Sequence, residues 1–346
     1  MSRLKDLIAA QIRASGPIGI AEYMELCLLH PEHGYYTTRE VFGGAGDFVT
    51  APEISQMFGE LLGLVLAQAW LDQGRPQGAV IAELGPGRGT LMSDARRAMA
   101  AAGAAALPLY LIEASPRLRE VQKAAHPDAR HIDHAADLPD APVFLIANEF
   151  FDALPIRQFQ RVPDGWAERL IGLEGGALRF GLGPVMAGGP DAPEGTIREY
   201  CPAAASIIAQ IVGRIAARGG AAIIVDYGGW DGQGDTFQAM RAHGYADPLQ
   251  DPGRADLTAH VDFAALARAA REAGAETGYT TQGNLLRALG IEARAQRLAA
   301  KDAGALGALS RLTGGAQMGD LFKVLGLWPK GAPALPGFEN AKADIA

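Results

Sequence analysis

AVIAELGPGRGTL, residues 79–91, decides how the rest of the chain is read. A short apolar run ends in an acid, Glu83, and breaks into a loop that holds Gly85, Gly87 and Gly89. Thr90 then opens an amphipathic helical pattern, Leu91 to Met99. Strand, glycine turn and helix N-terminus together form a cradle for a nucleotide-type ligand, because glycines let backbone N–H groups approach a ligand closely. A dinucleotide fingerprint places its third glycine five residues after the first. Here the third glycine comes at four, with Thr90 in the fifth place, so the spacing departs from the pattern that grips a pyrophosphate.

Composition bounds the answer. With 346 residues, 49% hydrophobic and 20% charged, the chain can bury a full core as one elaborated α/β domain or as two domains. No run of about 18 apolar residues exists, which argues against membrane insertion. A net charge of −8 without a long basic run argues against a nucleic-acid surface. Cys27 and Cys201 lie far apart without metal-ligand spacing, so no metal is expected, and both read as small core residues in a reducing compartment. The start, MSRLKDLIAAQIRASG, mixes Asp6 with Arg3, Lys5 and Arg13 and reads as a surface helix. It resembles neither a secretory signal nor a mitochondrial presequence. Together with the Ala, Gly and Arg richness, these features predict a bacterial, cytoplasmic protein.

Outward from the glycine loop, strand and helix patterns alternate. Strands are predicted at 79–84, 107–112, 129–133, 142–147, 221–226 and 276–281, with FKVLGLW, 322–328, as a last edge strand. Helical patterns fall at 90–102, 115–125, 203–217 and 261–273. Such alternation predicts a doubly wound, mostly parallel sheet with helices on both faces. Residues 156–182 interrupt it with short strand-like runs separated by Pro-Asp-Gly and Gly-Gly turns, an antiparallel insertion after the fourth strand. Ahead of the core come helical residues 2–30, an irregular hairpin or loop over 33–50 and a helix from Ile54 to Leu71. Residues 231–258, rich in Gly and Asp, read as a long loop. The expected division is an N-terminal helical, lid-like segment over 1–75 and a core over 76–346, with its insertion at about 153–200.

In an open parallel sheet, ligands sit outside the carboxyl ends of the strands. The residues just after each strand are polar here. E-x-G-x-G-x-G, from Glu83 through Gly89, is the spacing of the first motif in S-adenosylmethionine (SAM) methyltransferases, where no pyrophosphate must be held. On this motif alone a nicotinamide or flavin cofactor, or a merely structural turn, stays open. After the second strand comes Glu113, whose carboxylate can accept both ribose hydroxyls of an adenosine; the alternative is an acid at a helix N-terminus capped by Ser115. After the fourth strand come Asn148, Glu149 and Asp152, placed where an acceptor atom would meet a methyl group. If the acceptor is a guanidinium, Glu149 and Asp152 are natural clamps, since planar bidentate pairing fixes its orientation. Asp152 could equally cap a turn, with Phe150 and Phe151 in the core. Asp226 and Tyr227, after the fifth strand, either line the same cleft or simply end a buried strand. GDFVTAPEIS, 46–55, sets Asp47, Glu53 and Ser55 ahead of a helix, where Pro52 and Glu53 also suit a plain helix start.

GDFVTAPEIS, ELGPGRGTLM, ANEFFDALPI and VDYG followed by ADLTAHVDF, in this order, resemble the MidA-like SAM-dependent methyltransferases, whose mitochondrial members are complex I assembly factors. The resemblance runs from about residue 16 to about 328 and departs at Gly229-Trp230. It implies a class I, Rossmann-like methyltransferase fold with SAM as cofactor. The implied activity is protein arginine N-methylation, giving symmetric dimethylarginine on a subunit of respiratory complex I (NADH:quinone oxidoreductase). Carried over, Gly85, Gly87 and Gly89 match the SAM loop, with Glu83 and Thr90 flanking it, and Glu113 matches the acid after the second strand. Asn148, Glu149 and Asp152 match the acceptor-side motif. Glu53 and Ser55 match the N-terminal signature, which is expected to fold over the cofactor. Two other readings stay open: a SAM-binding assembly chaperone without essential catalysis, and a small-molecule methyltransferase. Neither the oligomeric state nor the substrate protein follows from these residues.

Overall fold

A computed structural model describes residues 3–38, 49–104, 107–242 and 244–339. It divides into two compact units. One comprises the described residues of Met1–Phe48 with Asp152–Ala204 and Asp231–Asp262; the other comprises those of Val49–Phe151, Ala205–Trp230 and Phe263–Ala346. The division falls after Phe48 rather than near residue 75, because the helix Gln56–Asp72 buries Met57, Phe58, Leu62, Val65 and Leu66 in the core of the second unit.

The second unit is built on the predicted sheet. Its strands are β1 (Val80–Leu84), β2 (Leu109–Ile112), β3 (Arg130–Ile132), β4 (Val143–Asn148), β5 (Gly220–Gly229), β6 (Ala275–Thr281) and β7 (Phe322–Pro329). Their order is β3-β2-β1-β4-β5-β7-β6, with β1 to β5 parallel. Every residue of β1 and β4 is buried, as expected of parallel strands covered on both faces. β1 has β2 on one side and β4 on the other, so the strand order reverses at β1, and ligands of such sheets bind outside the carboxyl ends at this switch point. The last strand is not an edge. β7 runs antiparallel between β5 and β6, because its continuous apolar run (Val324, Leu325 and Leu327 are buried) suits an interior position. The edge falls to the more polar β6, AETGYTT.

Helices α1 (Gln56–Asp72), α2 (Thr90–Ala101), α3 (Pro116–Ala125), α4 (Pro202–Arg218) and α5 (Phe263–Glu272) agree with the predicted periodicities. The helix foreseen from Ile54 is interrupted. A short turn, Ala51–Ile54, stops at Ser55, whose extended backbone and Oγ, accepting from Met57 N at 3.3 Å, start α1 afresh. α1 and α2 approach closely through glycines. A Cβ on Gly59 would lie 2.8 Å from the Leu91 carbonyl oxygen, and one on Gly63 2.5 Å from that of Ala95.

In the first unit, helices Arg3–Ser15 and Ile20–Leu29 flank Ile18–Gly19, which pairs with Leu170 and Ile171. The antiparallel insertion is present as Arg157–Val162, Gly165–Glu174, Ala177–Met186 and Ile197–Tyr200. Its core gathers Ile8, Tyr23, Met24, Tyr35, Ile171 and Leu257. The expected long loop is instead a three-stranded sheet of Gln238–Arg241, Gly244–Ala246 and Asp256–Thr258. Its Gly and Asp residues serve short strands and turns, such as the Asp247 carboxylate accepting from Leu249 N. Tyr35–Thr38 forms a helical turn, and most of the expected hairpin that follows, including Asp47, lies outside the described residues. Both cysteines are free, and burial pushes the Cys27 thiol up to about 12, as suits a core residue. No described helix is long and apolar enough to cross a membrane.

The glycine crossing yields a paired test. Gly63→Ala forces α1 from α2 and is expected to cost about 1–3 kcal/mol, lowering the urea midpoint. Gly213→Ala, in α4 with open space around its Cβ, should leave the midpoint unchanged or raise it, a stability gain of up to about 1 kcal/mol. Equal effects would remove the crossing as the cause.

Candidate active site

The chain leaves β1 through three left-handed glycines: φ is +59° at Gly85, +52° at Gly87 and +81° at Gly89. Residues with a Cβ resist these angles. Gly85 N donates to Ile112 O at 3.0 Å, tying the loop to the end of β2, and Gly89 N closes a turn on Pro86 O at 2.7 Å. Space is as restrictive as backbone angle. A Cβ on Gly85 would sit 2.9 Å from Phe150 Cδ2, and one on Gly89 2.9 Å from the His126 ring. The loop delivers the chain into the N-terminus of α2, whose first turn has no acidic residue and no side-chain cap at Gly89. Those amide donors remain available for a ligand.

The N-terminal signature is fastened to this loop. Thr90 Oγ1 donates to Glu53 Oε1 at 2.6 Å, and Arg88 Nη1 stands 3.7 Å from Glu53 Oε2. Glu53 therefore serves the loop, beyond the plain helix start its sequence also allowed. Ser55 is the cap of α1.

At the end of β2, Glu113 is buried. Its Oε1 accepts from Ser115 N at 2.8 Å and its Oε2 from Gln122 Nε2 at 3.1 Å. Burial pushes its pKa above the usual carboxylate range, opposed by these two hydrogen bonds. Ser115 Oγ accepts from Leu118 N at 3.4 Å, so the helix-start reading of this acid also describes part of its setting. Glu83, in β1, is harder placed. It is fully enclosed, and burial, reinforced by the negative charge of Glu113, pushes its pKa up to about 8. Its Oε2 has no hydrogen-bond partner among the described residues.

β4 ends at Asn148, which donates from Nδ2 to Glu149 Oε1 at 3.0 Å while its buried Oδ1 lacks a partner among the described residues. Glu149 takes φ of +51°, rare for a residue with a side chain and a mark of strained functional positions. Its amide is anchored on Val225 O at 2.9 Å. The turn beyond is held by Asp226, fully buried at the end of β5. One carboxylate oxygen accepts from Phe150 N and Phe151 N at 3.2 and 3.0 Å, the other from Tyr227 N. Asp226 therefore shapes the Glu149 turn from within the sheet. Phe151 is buried, with Phe150 edge-on to it. Asp152 belongs to the other unit; it is buried, and its carbonyl accepts from Ala259 N.

Three residues of this setting were not singled out from the sequence. Gln122 is wholly enclosed, His126 Nε2 lies 2.9 Å from Gly89 O, and His131 Nε2 lies 3.1 Å from Gln122 Oε1. One signal was present: Gln122 stands four residues after Leu118, on the buried face of α3, where an amide needs partners. No group of metal-ligating side chains exists among the described residues.

A positively charged, adenosine-bearing cofactor fits this donor set. The loop offers backbone donors, Glu113 offers a carboxylate at the end of the second strand, and Glu83 and Asn148 each hold a buried oxygen without a described partner.

The profile of the S-adenosyl-L-methionine-dependent methyltransferase family matches residues 61–281. The chain is 36% identical to the mitochondrial protein arginine methyltransferase NDUFAF7 of Xenopus tropicalis, over 95% of this chain and 88% of that protein. The human protein of the same name is 38% identical, over 82% of this chain and 72% of its own. Among solved structures, a COG1565 superfamily member from Burkholderia thailandensis, bound to S-adenosyl-homocysteine, superposes with a TM-score of 0.87 at 30% identity, covering 98% of this chain and 95% of that one. The curated relatives overturn the expected bacterial, cytoplasmic location, because they are mitochondrial proteins and point to that compartment instead.

The raised pKa of Glu83 has a definite sign. A carboxyl that titrates higher folded than unfolded favours folding most below its unfolded value near 4.5, and that contribution is lost as pH rises to about 8. Glu83→Gln, neutral throughout, should abolish this decline: its Tm advantage over the parent should grow by a few degrees between pH 5 and pH 8. Parallel Tm curves for the two proteins would mean that Glu83 is not held neutral.

Proposed function

We propose, starting from the fact that the chain belongs to the family of S-adenosyl-L-methionine-dependent methyltransferases, that it is a protein arginine N-methyltransferase. SAM is its cofactor, and when bound it supplies a methyl group on a sulfonium, electrophilic without acid assistance. In this reading the backbone of Gly85, Gly87 and Gly89 and the N-terminus at Thr90 hold the methionine end of the cofactor. Glu113 takes the ribose hydroxyls, and the buried carboxyl of Glu83 lies beneath the loop. Glu53, bonded to Thr90, would set the signature that ends at Ser55 over the cofactor. A protein substrate is proposed, namely a subunit of respiratory complex I, with symmetric dimethylarginine as product; the resemblance of the four motifs supports this choice.

The acceptor side rests on one observation, the left-handed backbone at Glu149 anchored by Val225 O and braced by Asp226. A carboxylate carried on a left-handed, backbone-tethered residue at the carboxyl end of the fourth strand suits a clamp for a planar cation. Glu149 would pair with the guanidinium, fix its plane and take up the proton that its attacking nitrogen sheds. Asn148 donates to one Glu149 oxygen and so orients the carboxylate. Orientation of this kind contributes several kcal/mol to a barrier, and a bidentate carboxylate offsets the desolvation of the guanidinium.

Methyl transfer from labelled SAM into a mitochondrial lysate, followed by mass spectrometry, should place the label on arginine of a complex I subunit. Label confined to small molecules would overturn the protein-substrate reading. Glu149→Gln should lower kcat by at least about 100-fold and leave S-adenosylhomocysteine binding within a few-fold of the parent. If complex I assembly is normal in that variant, catalysis is not the essential role and a holding function takes its place.

A further inference from the structure

We infer that Gln122 is a positioning residue that locks the glycine loop to the cofactor-facing carboxylate of Glu113, so that one buried amide sets both halves of the SAM site. Its Nε2 donates to Gly87 O at 2.8 Å and to Glu113 Oε2 at 3.1 Å, using both of its hydrogens. The orientation of the amide follows from its partners: a backbone carbonyl and a carboxylate can only accept, so Nε2 must face them. Oε1 then faces His131 Nε2 at 3.1 Å, which must donate. Burial, with the nearby charges of Arg119 and Lys123, holds His131 below its usual pKa, so it meets the amide as a neutral ring with its proton on Nε2. Each polar atom of the Gln122 side chain thus has a fixed partner, inside a space closed to solvent.

The loop and the acid come from different strands, β1 and β2, and β-sheet pairing fixes their backbones only up to Leu84 and Ile112. Beyond those residues the loop turns through left-handed angles, and the Gly87 carbonyl has no ladder to hold it. Gln122 supplies that link from α3. It also claims a lone pair on Glu113 Oε2, while Ser115 N claims one on Oε1, which aims the remaining lone pairs. The inference rests on the proposed ribose role of Glu113, and it adds that the acid cannot perform this role without the amide.

The test measures S-adenosylhomocysteine affinity by calorimetry alongside Tm without ligand. Gln122→Leu keeps the side-chain volume and removes the donors; its affinity should fall roughly tenfold to a hundredfold, the worth of a hydrogen bond to a charged group. Glu113→Gln should weaken binding by a similar factor. Because Gln122 is inferred to act through Glu113, the double variant should bind no more than about twofold worse than the weaker single variant. His131→Phe removes only the anchor of the amide, should cost a smaller factor, and should have no effect in the Gln122→Leu background. It also serves as the probe if Gln122→Leu fails to fold. Three results would overturn the inference: near-parental affinity in Gln122→Leu and His131→Phe, losses of Gln122 and Glu113 that multiply, or a His131→Phe loss that persists when Gln122 is gone. Parental affinity in Glu113→Gln would instead sink the ribose assignment.

Discussion

The left-handed turn through Gly85, Gly87 and Gly89 is the constraint on which the candidate site depends. Three positive φ angles within five residues reverse the chain at the end of β1 and bring the start of α2 back over the sheet. Four side chains from three other segments then converge on the turn: Glu53 from the short helix before α1, Gln122 and His126 from the end of α3, and Phe150 from the segment after β4. Their positions presuppose glycine. A methyl group at residue 85 or 89 would meet Phe150 or His126, and the backbone would also resist its angle. The requirement for glycine is therefore set by neighbours as much as by local geometry.

Two buried acids on adjacent strands show how the same residue type takes different roles. Glu113 finds an amide and a backbone N–H, and these oppose the cost of enclosure. Glu83 has one oxygen without a described partner and Glu113's charge beside it, so it resists ionisation until about pH 8. A hydrogen-bonded acid thus stands next to one that burial holds protonated at neutral pH. Carboxyls whose pKa is raised by burial beside a second acid are a recurrent mark of functional sites.

Much of this was legible in the chain because it depends on local pattern. Glu83 followed by alternating glycines, the polar residues after each apolar run and the Pro-Asp-Gly and Gly-Gly turns of the insertion all report structure within a few residues of themselves. What could not be read depends on distant partners. The Asp226 carboxylate holds the Glu149 turn across 75 residues of sequence, and Glu53 reaches Thr90 across 37. No local pattern encodes either pair. Residues 231–258 were misread for a related reason: their three strands are three or four residues each, too short for alternation to rise above the glycines and aspartates between them. The place of β7 likewise depends on which strands flank it, and its apolar run alone was compatible with any position.

That place has a consequence for assembly on the ribosome. β6 is synthesised some 40 residues before β7, the one strand it pairs with among the described residues, and β7 also pairs with β5. Until Phe322–Pro329 emerges, Ala222–Tyr227 of β5 lacks its antiparallel partner, and Ala275–Thr281 has no ladder to join. The nascent chain must therefore hold an open, apolar seam at β5 through the synthesis of four short helices, from Gln282 to Leu321. Exposed strand edges of this kind invite mispairing with other chains. The C-terminal strand acts as a keystone, closing the sheet from within, and the fold is vulnerable to aggregation for as long as that strand is late.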